Sequence, residues 1–166
     1  MKYINDELLD SIIEELDTTE EDFDKMMEDF DKKQPVIVSY INSESASVLT
    51  EEENDYLQYL ALTMYRTVAY SAKVALPQIT EKALDDAEEQ NWQLWEAAKG
   101  ADFNEKLDSF FEDHPQEDLL AFIEDAISEE DPDDPEDDVD FITVEGRIPM
   151  FIILKSIVDA MHASVA

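Results

Sequence analysis

"YLQYLALTMYRTVAYSAKVAL", Tyr56 to Leu76, is the stretch whose reading decides the fold. Apolar residues cover most of a helical circumference in it, and Gln58, Arg66 and Lys73 interrupt it, so it reads as a buried central helix and not as a membrane span. Upstream, Thr50 with Glu53 makes a capping-box pattern that opens this helix, and Pro77 is placed to end it.

The same helical spacing continues outward in both directions. Toward the amino terminus, Asn5 can cap a helix with the face Leu8, Leu9, Ile12, Ile13 and Leu16. Thr18 with Glu21 forms a second capping-box pattern before Phe23, Met26, Met27 and Phe30. Pro35 suits the first turn of a short helix over Val36 to Ile41, although "VIVSY" alone would pass for a strand, and Ser43 to Ser47 reads as a loop.

Beyond Pro77, Thr80 caps a helix carrying Leu84, Ala87, Trp92, Leu94 and Trp95, and Lys99-Gly100 supplies its stop. Asp102 with Glu105 starts a short helix through Phe103, Leu107, Phe110 and Phe111. Pro115 opens another, with Leu119, Leu120, Phe122, Ile123, Ala126 and Ile127 inward. A final buried helix follows from Met150, Ile153, Leu154, Ile157, Val158 and Met161, starting near Gly146 to Pro149. The expectation is an all-α, single-domain bundle of about eight helices over 1–166.

An internal echo runs through this pattern. Phe23, Phe30 and Pro35 fall on Phe103, Phe110 and Pro115; Thr50, Glu52 and Leu57 fall on Thr143, Glu145 and Met150; Ile4-Asn5 falls on Ile79-Thr80. The chain would then be two four-helix halves, 4–76 and 79–163, with the extra residues of the second half in an acidic loop at 129–146.

Composition limits the function. A chain of 166 residues can withdraw about 70% of its unfolded surface from water. With 44% hydrophobic residues it is too apolar to be a disordered acidic chain. The formal net charge of -33 disfavours direct nucleic-acid binding, which draws most of its affinity from Lys and Arg on phosphate. A large charged partner should therefore be basic. Haloadaptation is not favoured, since nine of the eleven basic residues are Lys and the aromatic content is rich. Without cysteine there is no disulfide, no thiolate nucleophile and no Cys-ligated zinc. The start "MKYINDELLD" lacks the apolar core of a signal peptide, so a cytoplasmic protein is expected.

The densest charge is "DPDDPEDDVDFITVEG", Asp131 to Gly146, with eight carboxylates in sixteen residues. No Lys or Arg occurs between Lys106 and Arg147. As an electrostatic lure, Asp131, Asp133 and Asp137 would steer a basic or amphipathic protein partner and raise its on-rate. As a metal loop, Asp134, Glu136, Asp138, Asp140 and Glu145 stand at positions 1, 3, 5, 7 and 12 of a twelve-residue frame. That spacing partly resembles the calcium loop of an EF-hand and would imply Ca²⁺ as ligand. It departs from the family at position 6, where the sharp turn needs Gly and this chain has Val139, and at position 3, where Glu136 replaces Asp or Asn. Glu145 also has a simpler account as an acid favoured by a helix N-terminus.

Catalytic patterns are scarce. Two glycines make no phosphate loop, nucleophile elbow or dinucleotide fingerprint. A di-iron bundle wants two Glu-x-x-His pairs; Asp159 and His162 give one loose counterpart, and His162 reads as a C-terminal residue meeting the helix dipole, with His114 an ordinary residue before Pro115. Tyr56, Tyr59, Tyr65, Tyr70, Trp92 and Trp95 read as core, with an interface rim or a homodimer face as the functional alternative. The resulting expectation is a non-catalytic acidic binding or regulatory module. Divalent-cation binding through 134–145, or an enzyme with an unrecognised site, is the competing reading.

Overall fold

A computed structural model of the chain describes residues 3–100, 102–127 and 142–165. Among them are eight α-helices and one short 3₁₀ turn, with no strand. The helices are α1 (Asp6–Thr18), α2 (Phe23–Lys33), α3 (Pro35–Ile41), α4 (Glu51–Ala72), α5 (Glu81–Ala97), α6 (Phe103–Phe111), α7 (Glu117–Ile127) and α8 (Val144–Ser164), and the 3₁₀ turn is Glu44–Ala46. The all-α single-domain expectation holds.

The core is organised by α8, which packs against α5, α4 and α7, while α1 lies on α4 and α2 on α3. Apolar residues occupy nearly every position of α8 from Met150 to Met161, as burial on all sides requires. Phe30 stacks on Tyr65 with ring centroids 4.7 Å apart, joining α2 to α4. Phe103 and Phe110 meet Phe151 edge-on, tying α6 to α8.

Local chemistry explains most helix starts. Asn5 accepts from Leu8 N at 3.0 Å, Thr80 from Ala83 N at 3.1 Å and Asp102 from Glu105 N at 2.9 Å, as the spacing indicates. Five boundaries differ from the sequence reading. Thr18 ends α1, donating its hydroxyl to Glu14 O at 2.7 Å, and Asp22 caps α2 instead. The central helix stops at Lys73, which takes a left-handed conformation at φ 56°, before Pro77 can act. The segment that follows is held by Gln34, whose amide donates to Pro77 O and accepts from Ile79 N, both at 2.9 Å.

The third difference is Gly100. The helix α5 already ends at Ala97, and Gly100, at φ 152°, sits where a Cβ would come within 2.7 Å of Glu105 Cβ, so its role is close approach to α6. The fourth is α7, which begins at Glu117 after a turn, not at Pro115. The fifth is α8, which begins at Val144 under the Thr143 cap and carries Pro149 inside it. There the proline forfeits only the bond to Glu145 O, close to the helix start.

The structure does not show an internal duplication. It does show one repeated device: Gln116 Oε1 accepts from Ile4 N at 2.9 Å just before α1, as Gln34 Oε1 accepts from Ile79 N just before α5. No described helix is long and apolar enough to cross a membrane.

Candidate functional site

Four of the polar residues that the fold buries, Asn91, Gln116, Lys155 and Ser156, gather in one place. On α8, Lys155 and Asp159 are one turn apart, and in a helix with no exposed side a charge at either position needs a partner within reach. Lys155 Nζ lies 2.7 Å from Asp159 Oδ2 and 2.7 Å from Asn91 Oδ1 on α5. Its ammonium also stands 5.6 Å from the Phe110 ring centroid. Asn91 in turn donates to Ser156 Oγ at 3.0 Å and to Asp159 Oδ2 at 3.2 Å.

The network reaches the α6–α7 connection through His114. Its Nε2 is 2.8 Å from Asp159 Oδ1, and its Nδ1 accepts from Gln116 N at 3.0 Å. Since a backbone N–H can only donate, Nδ1 carries no proton, and neutral His114 is the Nε2–H tautomer donating to Asp159. Burial alone would raise the Asp159 carboxyl, but the His114 hydrogen bond and the Lys155 charge outweigh it and hold the group below its ordinary value. Gln116 then connects this cluster to the chain start at Ile4.

A His–carboxylate–Lys cluster is the raw material of acid–base chemistry, but its wiring here is closed. Both His114 nitrogens are engaged, leaving no lone pair for a general base, and Lys155 is 4% exposed with its protons directed to Asn91, Asp159 and an aromatic face. As found, the arrangement pins α5, α8, the α6–α7 turn and the segment before α1 together. Above Asp159, a groove of about 430 Å³ runs between α5 and α8 past Ala83, Ala87, Ala160 and Ala163. His162 is near Gln116, with its Nδ1 3.4 Å from Gln116 Nε2, and desolvation lowers its pKa. It is part of this region, not simply a helix-end residue.

His114 was the residue sequence reasoning missed. The available signal was the Lys155-x-x-x-Asp159 pair inside an otherwise apolar helix, which demands polar partners without saying which.

The acidic positions fare differently. Asp131, Asp133, Asp134, Glu136, Asp137, Asp138 and Asp140 lie outside the described residues. Glu145 is exposed in the first turn of α8, a placement that suits a carboxylate near a helix N-terminus. Among the described residues, no group of three or more His, Asp or Glu is arranged to hold a metal ion.

A like-charged face is also formed where α1 meets α7 beside α6. Asp118 Oδ2 accepts from Asp6 N at 3.2 Å, bringing the two carboxylates to the start of α1. The hydrogen bond to Asp118, with burial and the charges of Glu117 and Asp6, pushes the Tyr3 phenol up to about 12. Desolvation followed by Asp125 and Asp108 raises Glu124, and desolvation followed by Asp6 raises Asp125.

No protein-family model matches the chain, and no curated protein and no solved structure matches it either. The functional reading therefore rests on its own geometry and charge.

Proposed function

We propose that the protein is a non-catalytic acidic binding or regulatory module of the cytoplasm that engages a basic or amphipathic protein partner. The observation that carries this reading is the carboxylate face of α1, α6 and α7, where burial, Asp125 and Asp108 raise Glu124, and burial and Asp6 raise Asp125. Clustered carboxylates of this kind carry negative potential that a cationic partner would complement on docking. The closed wiring of His114 and Lys155 supports a structural role for the one buried His–carboxylate cluster described above.

The test is a pull-down at low salt with identification of the partner, followed by affinity against salt concentration for the wild type and an Asp108→Asn/Glu124→Gln/Asp125→Asn variant. The expected result is a partner lost at modest salt and bound about tenfold more weakly by the variant. A partner indifferent to both salt and the triple substitution, or none at low salt, overturns the reading.

A further inference from the structure

The chain has two histidines, and the fold turns both toward one residue. His114 Nδ1 lies 3.0 Å from the backbone nitrogen of Gln116, and His162 Nδ1 lies 3.4 Å from its side-chain nitrogen, Nε2. Gln116 is fully buried, and its Oε1 accepts from Ile4 N at 2.9 Å, which fastens the segment before α1 to the start of α7. Ile4 is fully buried too, so that bond has no water to replace it.

Chemistry fixes the direction of each of these bonds. A backbone N–H only donates, so Ile4 assigns the oxygen of the Gln116 amide, and the other end is an NH₂ that only donates. Each histidine therefore meets Gln116 with a lone pair on Nδ1, and each neutral ring carries its proton on Nε2. For His114 that proton goes to Asp159 Oδ1 at 2.8 Å. A proton added to either Nδ1 sets an N–H against an N–H, and the contact with Gln116 is lost.

We propose that Gln116 is an acid-sensitive latch: two neutral histidines hold it, it holds the amino-terminal segment, and their protonation releases Ile4 from α7 while the helical core stays folded. The charged groups around the rings set the sense of the response. Asp159 on α8 faces His114, with Lys155 on its other oxygen. His162 is half-buried; desolvation, then the amino-terminal charge and His114, keep its pKa below the ordinary value, with Asp159 opposing them. A histidine whose value is lowered in the latched state binds its proton more readily once released. The latch therefore weakens as pH falls through the ordinary histidine value of about 6.5 and on down to the latched one. The next hold on the chain, Asp6 N donating to Asp118 Oδ2 at 3.2 Å, contains no histidine, so release stops short of α1.

The test is amide hydrogen exchange of the full chain by NMR from about pH 8 to about pH 5, each rate divided by its unstructured-chain value at the same pH. Protection of the Ile4 amide should fall about tenfold across that range, its midpoint following the ring titrations of His114 and His162, while Ile153 in the middle of α8 keeps its protection. Ring nitrogen chemical shifts at the alkaline end should show Nδ1 unprotonated in both histidines. His162→Asn offers an amide oxygen near the Nδ1 position and takes up no proton, so it should keep Ile4 protected and reduce the pH response; His114→Asn/His162→Asn should remove it. A flat Ile4 profile, a loss shared equally by Ile153, an Nδ1–H tautomer in either neutral ring, or a response unchanged in the double variant overturns the proposal. So does a response abolished in Asp108→Asn/Glu124→Gln/Asp125→Asn, which would make the carboxylates of the acidic face the sensor. Should the double variant not fold, the wild type decides: an Ile4 midpoint that matches a ring titration supports the latch, and one that matches neither overturns it.

Discussion

Glu53 caps two helices with one carboxylate. Its Oε1 accepts from Thr50 N at 2.9 Å, closing the capping box of its own helix, α4. Its Oε2 accepts from both the backbone N–H and the hydroxyl of Thr143, each at 3.1 Å, at the start of α8 ninety residues away. Thr143 Oγ1 in turn accepts from Gly146 N at 2.9 Å, so the starts of the two central helices are fastened together at a fully buried group. Gly146 makes room for it: a Cβ there would collide with the Glu53 carboxylate, 2.6 Å from its Cδ.

Glu53→Ala should therefore cost about 3 kcal/mol, because three donors at two helix starts lose a fully buried acceptor. Gly146→Ala should also destabilise the wild type, through the collision. In the Glu53→Ala background the same change should be neutral or stabilising, since alanine is favoured over glycine in a helix by about 1 kcal/mol. Urea denaturation of the four proteins in this cycle measures the coupling, and strict additivity would contradict the shared cap.

Lys155→Met should destabilise the fold by about 3 kcal/mol, because it leaves the partly buried Asp159 beside Asn91 without its cation. Asp159→Asn should shift the acid limb of stability. The folded Asp159 pKa is depressed, so its contribution is complete above the unfolded value of about 4 and disappears as pH falls through the folded one. Thermal melts from pH 2 to 6 should show the wild type losing stability in that range more steeply than the Asn variant.

Glu124→Gln/Asp125→Asn should act in the opposite sense. Both folded pKa values are raised, so the charged forms oppose folding at neutral pH, and that opposition is relieved as pH falls through the folded values. The double variant should be the more stable protein at pH 7, with its advantage vanishing once the wild-type carboxyls are protonated. Melts of the two proteins between pH 3 and 7 check this, and a constant difference across the range would count against it.

Tyr40→Phe should raise the stability of the protein by about 1 kcal/mol, since it removes a buried hydroxyl without a partner and preserves the ring. Denaturant midpoints measure it. A loss of stability would mean the hydroxyl is satisfied in solution.

What the sequence by itself determined was the inventory of helices and most of their inward faces. The 3.6-residue recurrence of Leu9, Ile12 and Leu16, or of Met150, Ile153, Leu154 and Ile157, is a local property of the chain, and so are the caps Asn5, Thr50, Thr80 and Asp102. The reading failed at boundaries where a neighbouring residue did the capping or a distant one held the chain. Lys73 ends α4 ahead of Pro77, and Gln34 holds the chain that follows; Asp22 displaces Thr18 and Glu21 as the cap of α2.

Only the tertiary structure decided the partners of the buried polar groups. Nothing near His114 in the sequence announces Asp159, and nothing near Glu53 announces Thr143, because hydrogen bonds across 45 and 90 residues are chosen by packing and not by spacing. The unpaired hydroxyl of Tyr40 belongs to the same class: periodicity places the ring inside, but whether its oxygen finds a partner depends on what α5 and α8 bring beside it. The total charge of -33 was legible in the sequence, whereas the meeting of Asp6 with Asp118 and Asp125, and of Asp108 with Glu124, required the fold. Periodicity is a one-body property of each helix; a site is a many-body one, and it exists only after the helices have met.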